Sequence, residues 1–178
     1  ELERLENLYK SNQFEFLVMY GRRRVGKTTI LQEFASRHKV IFYSAQEKND
    51  SLNLQDFSQA VQQTLDGHFI APFPSWKEAF SYITKKTQSS RTVLIIDEFP
   101  FMAGTNPSVK SILQHEIDHE WSKKEILLIL CGSSVSFMVN QIMGYESPLY
   151  GRTTSVMEIL PFDYLDSGTE QVVPKKVS

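Results

Sequence analysis

The sequence predicts an α/β fold, a mainly parallel sheet with helices on both faces. Five short, almost wholly apolar runs of strand length alternate with stretches of helical period, as a parallel sheet buried on both faces requires. A glycine-bearing loop rich in basic residues joins the first apolar run to the helix behind it. Turn residues punctuate the pattern where one element should give way to the next.

Taken in order, Leu2, Leu5 and Leu8-Tyr9 recur at helical spacing and predict an opening helix. Phe14–Tyr20 (FEFLVMY) is the first strand, and Thr28–His38 is the helix after the loop. Val40–Ser44 (VIFYS) is the second strand. Leu52–Leu65 follows as a helix with Ser51 as its expected cap, then Ser75–Thr87 as another. Gly67, Pro72 and Pro74 separate those two helices. Val93–Ile96 (VLII) is the third strand. Gly104, Asn106 and Pro107 form a turn before a helix over Ser108–Trp121. Ile126–Cys131 (ILLILC) is the fourth strand, Ser134–Met143 a helix, and Ser155–Leu160 (SVMEIL) the fifth strand. The stretch from Gly168 to Ser178 is polar and poorly patterned.

The composition excludes several function classes. The chain has 178 residues, 41% apolar and 22% charged, with a formal net charge of −2. Residues 1–89 carry 12 basic and 10 acidic side chains and residues 90–178 carry 7 and 11, so neither half is polybasic. Binding to DNA or a membrane surface through bulk charge is therefore disfavoured. One cysteine builds neither an internal disulfide nor a multi-cysteine zinc site, and the apolar runs fall short of the ~20 residues that span a bilayer. A cytoplasmic protein without a membrane anchor is expected. The opening at Glu1, without methionine or signal-like segment, reads as a piece of something longer.

Directly behind the first strand, Gly21-Arg22-Arg23-Arg24-Val25-Gly26-Lys27-Thr28-Thr29 fits G-x-x-x-x-G-K-[ST], the Walker A pattern. Its glycines let backbone N–H groups turn inward as an anion nest at the positive end of a helix. Lys27 is expected to reach the β- and γ-phosphates of a nucleotide, and the Thr28 hydroxyl to join a Mg²⁺ shell. Arg22, Arg23 and Arg24 read either as phosphate contacts or as a solvated basic loop. The Walker B counterpart is Asp97-Glu98, at the end of Val93–Ile96. Asp97 is expected to hold the Mg²⁺ and Glu98 to polarise the attacking water.

These motifs have a family likeness. GRRRVGKTT at Gly21–Thr29, IDEFP at Ile96–Pro100, LCGSS at Leu130–Ser134 with Phe137-Met138, and LYGR at Leu149–Arg152 leading to Leu160-Pro161-Phe162 stand in order. With them the chain resembles the archaeal-type ATPases of the STAND branch of additional-strand, AAA-like P-loop NTPases. Glu1–Leu5 looks like the remainder of that family's arginine-glutamate opening. The resemblance implies a five-stranded core in the order 5-1-4-3-2 over residues 1–162, with residues 163–178 starting a truncated lid or linker. It implies ATP and Mg²⁺ as ligands, with Ser133 or Ser134 as a sensor of the γ-phosphate at the tip of the fourth strand; Ser134 as a plain helix cap competes. Arg152 is a candidate finger toward a neighbouring copy in a homo-oligomer, against a structural arginine at the strand end. A protein or DNA target reached through further C-terminal domains is also implied. The functional expectation is a Mg²⁺-dependent switch ATPase. The alternative is a nucleotide-gated binding or scaffold module with negligible turnover, coupled to DNA or a fused nuclease-like domain.

Other features have plainer readings. His115-Glu116-Ile117-Asp118-His119 spells the zinc-peptidase pattern H-E-x-x-H, but His119 is the last histidine, leaving only a carboxylate such as Glu146 or Glu158 as third ligand. Phe69, Phe73, Trp76, Phe80 and Tyr82 read as core rather than as a stacking platform. Cys131 reads as a small core residue, and His38 and His68 stand alone.

Overall fold

The computed structural model describes residues 1–88 and 90–161. The chain runs α1 (Leu2–Lys10), β1 (Glu15–Tyr20), α2 (Lys27–Arg37), β2 (Val40–Ser44), α3 (Asp50–Asp66), α4 (Trp76–Lys86), β3 (Thr92–Asp97), α5 (Phe99–Thr105), α6 (Ser108–His119), β4 (Ile126–Gly132), α7 (Val135–Phe137) and β5 (Ser155–Glu158). The five strands form one parallel sheet in the order β2-β3-β4-β1-β5. This is the expected 5-1-4-3-2 read from the opposite edge.

Alternate side chains of the central strands feed two cores. Phe16 and Val18 of β1, with Leu94, Ile96, Leu128 and Leu130, face α3 to α6 and their aromatic cluster. Leu17 and Met19, with Val93, Ile95, Leu127 and Ile129, face α1 and α2 through Leu5, Leu31 and Phe34. Both faces are apolar, so β3 and β4 read as unbroken hydrophobic runs. Trp76 and Phe80 are buried beside Phe57 and Trp121, in keeping with the core reading of that stripe. No helix among the described residues is long and apolar enough to cross a membrane.

Several boundaries differ from expectation. The cap of α3 is Asn49, whose carboxamide accepts from Leu52 N at 2.9 Å, so Ser51 lies inside the first turn. Asn49 wins because its side chain reaches an otherwise orphaned N–H three residues on. The helix expected over Ser108–Trp121 stops at His119, and a 3₁₀ turn over Trp121–Lys123 buries the indole. The expected Ser134–Met143 helix is a three-residue turn followed by a π-type turn over Met138–Ile142, closed by Met143 N on Met138 O at 3.2 Å. Helix α5 was not expected, because Pro100 and Gly104 look like breakers. Pro100 occupies the first turn, where its missing N–H costs no hydrogen bond. The expected lid segment 163–178, and Phe162 before it, lie outside the described residues.

Candidate nucleotide site

The parallel register brings the carboxyl ends of β1, β3 and β4 to one edge, where a doubly covered sheet binds ligands. The loop after β1 turns there. Arg24 (φ 65°) and Gly26 (φ 94°) both take the left-handed conformation, which turns the loop into α2. Gly21 packs so closely that a Cβ on it would stand 2.3 Å from Ile159 O. The start of the loop is thus pressed against the residue just past β5, and Ile159 N also donates to Tyr20 O at 2.8 Å.

Lys27 is buried at 4% exposure, and its ammonium donates to Gly21 O at 2.6 Å and Arg22 O at 2.7 Å. A buried ammonium demands such partners; anionic oxygens entering the loop would compete for its three donors. Thr28 Oγ1 donates to Asp97 Oδ2 at 2.8 Å, while Asp97 Oδ1 accepts from Glu98 N at 2.9 Å. Asp97 is 1% exposed. A hydroxyl and a carboxylate in direct contact are hard oxygen donors that suit Mg²⁺, which otherwise keeps waters and phosphate oxygens. Among the described residues no group of three or more His, Cys, Asp or Glu is placed to hold a metal. Cys131 adjoins this pair, and burial, reinforced by the Asp97 carboxylate, pushes its thiol far up, so it stays a neutral core group.

Glu98 sits at φ 52°, ψ 42°, an unusual conformation for a residue with a side chain. Its carboxylate is received by the tip of β4: Ser133 Oγ donates to Oε1 at 2.5 Å and Ser133 N to Oε2 at 3.4 Å. Arg23, Arg24, Gly26, Lys27, Thr28, Thr29, Glu98, Phe101 and Ser133 line one cavity of about 490 Å³.

Nearly all of the residues expected to act together therefore meet. Of the two sensor candidates, Ser133 faces the cavity; Ser134 is exposed at the start of α7, caps nothing with its side chain and does not line the cavity. Arg22 contributes its carbonyl, and Val25 packs against the α1–α2 core. Arg152 is elsewhere: its Nε and Nη2 donate to Asp118 Oδ1 and Oδ2, both at 2.7 Å, and Nη1 to Tyr150 O at 2.8 Å. Its carboxylate partner thus belongs to α6, not to the end of a strand. Within the H-E-x-x-H stretch, Glu116 is buried and accepts from Thr84 Oγ1, which itself accepts from Trp121 Nε1 at 2.7 Å. A carboxylate so engaged between α4 and α6 is a packing group. Phe101 went unnoticed in the sequence because it rides on the unexpected α5.

Over residues 1–174 the chain matches the family model described as an ATPase domain predominantly from Archaea. An uncharacterized protein of Methanocaldococcus jannaschii is 34% identical over 164 residues, which cover 92% of this chain and 35% of that protein. Among solved structures, a Walker-type ATPase of Pyrococcus abyssi is similar with a TM-score of 0.66 at 19% identity, covering 92% of this chain and 53% of that one. Cdc6p from Pyrobaculum aerophilum is similar with a TM-score of 0.60 at 16% identity, covering 90% and 44%. At those identities the two structural likenesses concern the fold. The chain spans about a third of the jannaschii relative's length and about half of the Pyrococcus structure's.

Proposed function

The chain belongs to the family of ATPase domains found predominantly in Archaea, and from that membership we propose that it binds ATP with Mg²⁺ and hydrolyses the β–γ phosphoanhydride. One observation carries the reading: Lys27, Thr28, Glu98 and Ser133 converge on a single cavity at the end of α2. Loop N–H groups and the dipole of α2 receive the phosphates, and Lys27 exchanges Gly21 O and Arg22 O for β- and γ-oxygens. Thr28 and Asp97 would hold a magnesium ion, which would supply positive charge against the phosphates. Glu98 orients a water and takes its proton, and Ser133 fixes the carboxylate.

A second reading is favoured by the Glu98–Ser133 bond itself. A carboxylate whose two oxygens are already engaged by the Ser133 hydroxyl and N–H is less free to receive a water, which suits a module gated by bound nucleotide with negligible turnover. Steady-state phosphate release and ATP binding by the full-length polypeptide separate the two. Turnover well above background, reduced at least about 100-fold in Glu98→Gln with ATP still bound, supports the enzyme. ATP binding that survives Lys27→Ala unchanged would show that the site is misassigned.

A further inference from the structure

We propose that Arg23 and Arg24 supply the cation that meets the charge building on the γ-phosphoryl group, so that one copy of the domain carries a complete hydrolytic site. This rests on the hydrolytic reading above and adds the group that answers the transition-state charge. Both arginines line the cavity that holds Glu98 and Ser133, and both are exposed. Arg24 holds φ 65°, a left-handed conformation that is unfavourable for a residue with a side chain. Such strain persists where the surroundings impose it, and it concentrates at binding loops.

Several other cations near the sheet are committed. Lys27 is bound to two loop carbonyls, Arg4 to Ser155 Oγ and Val156 O, and Arg91 to Leu8 O and Gln13 O. Arg152, the sequence's candidate for reaching a neighbouring copy, makes a two-pronged pair with Asp118. Leaving that pair would forfeit two charge-assisted hydrogen bonds. Among the described residues, Arg23 and Arg24 are thus the cavity-lining guanidinium groups, with donor forks that match phosphoryl oxygens.

The step balances without further reactants. The water oxygen bonds to the γ-phosphorus as the bond from that phosphorus to the β–γ bridging oxygen breaks. The bond's electron pair stays on ADP, and the water's proton passes to the Glu98 carboxylate. The arginines donate hydrogen bonds and are not consumed.

The test uses full-length protein with R23A, R24A, the double variant and the matching lysine replacements. Turnover, ATP affinity by calorimetry, and binding of ADP with aluminium fluoride are each measured. The double alanine variant should lose on the order of 10³-fold in kcat and lose the ADP–fluoride complex, while ATP affinity falls less than about tenfold. Lysine replacements should recover ATP affinity but little kcat. Wild-type turnover per molecule should not depend on protein concentration. Retention of kcat and of the fluoride complex in the double variant would overturn the proposal. So would an equal loss of ATP affinity and kcat/KM with kcat intact. Turnover per molecule that climbs with concentration and disappears in R152A would instead assign the cation to a second copy. Wild-type protein that binds ATP and never turns it over would overturn the hydrolytic reading itself, a result distinct from each of these.

Discussion

Ser133 at the tip of β4 and Glu98 at the end of β3 are joined by a 2.5 Å hydrogen bond from hydroxyl to carboxylate, backed by the Ser133 N–H at 3.4 Å. Two strands adjacent in the sheet and 35 residues apart in sequence thus aim one carboxylate. Its orientation is set by a neighbour strand, not by its own turn.

Replacing Ser133 by alanine should therefore lower kcat by up to about 10²-fold, because a base displaced by about 1 Å no longer lines up its water. KM for ATP should change less than kcat, since Ser133 does not belong to the phosphate loop. Equal kcat in the S133A variant and the wild type would show that Glu98 needs no such support.

The Thr28–Asp97 contact predicts a metal phenotype. Thr28→Ala removes a hydroxyl from the pair, and the Mg²⁺ concentration for half-maximal turnover should rise about 10–100-fold. Chelation with excess EDTA should stop turnover in the wild type, and added Mg²⁺ should restore it. A magnesium titration of T28A that overlays the wild-type curve would remove Thr28 from the metal shell.

Arg152 and Asp118 offer a stability test with a defined sign in pH. The Arg152 guanidinium holds the Asp118 carboxyl below its ordinary 3.8. A carboxyl depressed in the folded state stabilises it above the unfolded pKa, and the contribution is lost as pH falls through the folded value. Both side chains are partly solvated, so the pair is worth about 0.2–1 kcal/mol. Urea unfolding at pH 7 should show Arg152→Ala less stable by that amount. The gap should narrow as pH falls below about 3.8. A gap that stays constant with pH would mean that the ion pair is not its source.

Gly21→Ala tests the close approach of the phosphate loop to β5. The added methyl carbon would stand 2.3 Å from Ile159 O, so either the loop or the strand end must move. Destabilisation of about 1–3 kcal/mol is expected, together with weakened ATP binding. Gly104→Ala is the control, since a Cβ there meets nothing within 4 Å.

Much of this was legible in the sequence because its signals are local. The strand runs are apolar on both faces, so β2 was read to its residue limits and the other four to within two. The phosphate loop is nine consecutive residues whose glycines, lysine and threonines act through their own backbone turn. Asp97 and Glu98 were found for a related reason, as acids directly behind an apolar strand. Helix α5 was hidden by a proline that breaks helices anywhere but their first turn.

What amino-acid order determined on its own was therefore the set of elements, the loop and the acid pair, each specified by neighbours within about a turn of chain. Only the folded chain set Ser133, and not Ser134, against Glu98 and the cavity, gave Arg152 to Asp118, enclosed Glu116 against Thr84, and left Arg23 and Arg24 facing the cavity. Those outcomes hinge on strand register and helix packing between residues 32 to 35 positions apart or set across a cavity. A hydroxyl or guanidinium has no preferred partner until packing places one within hydrogen-bonding reach.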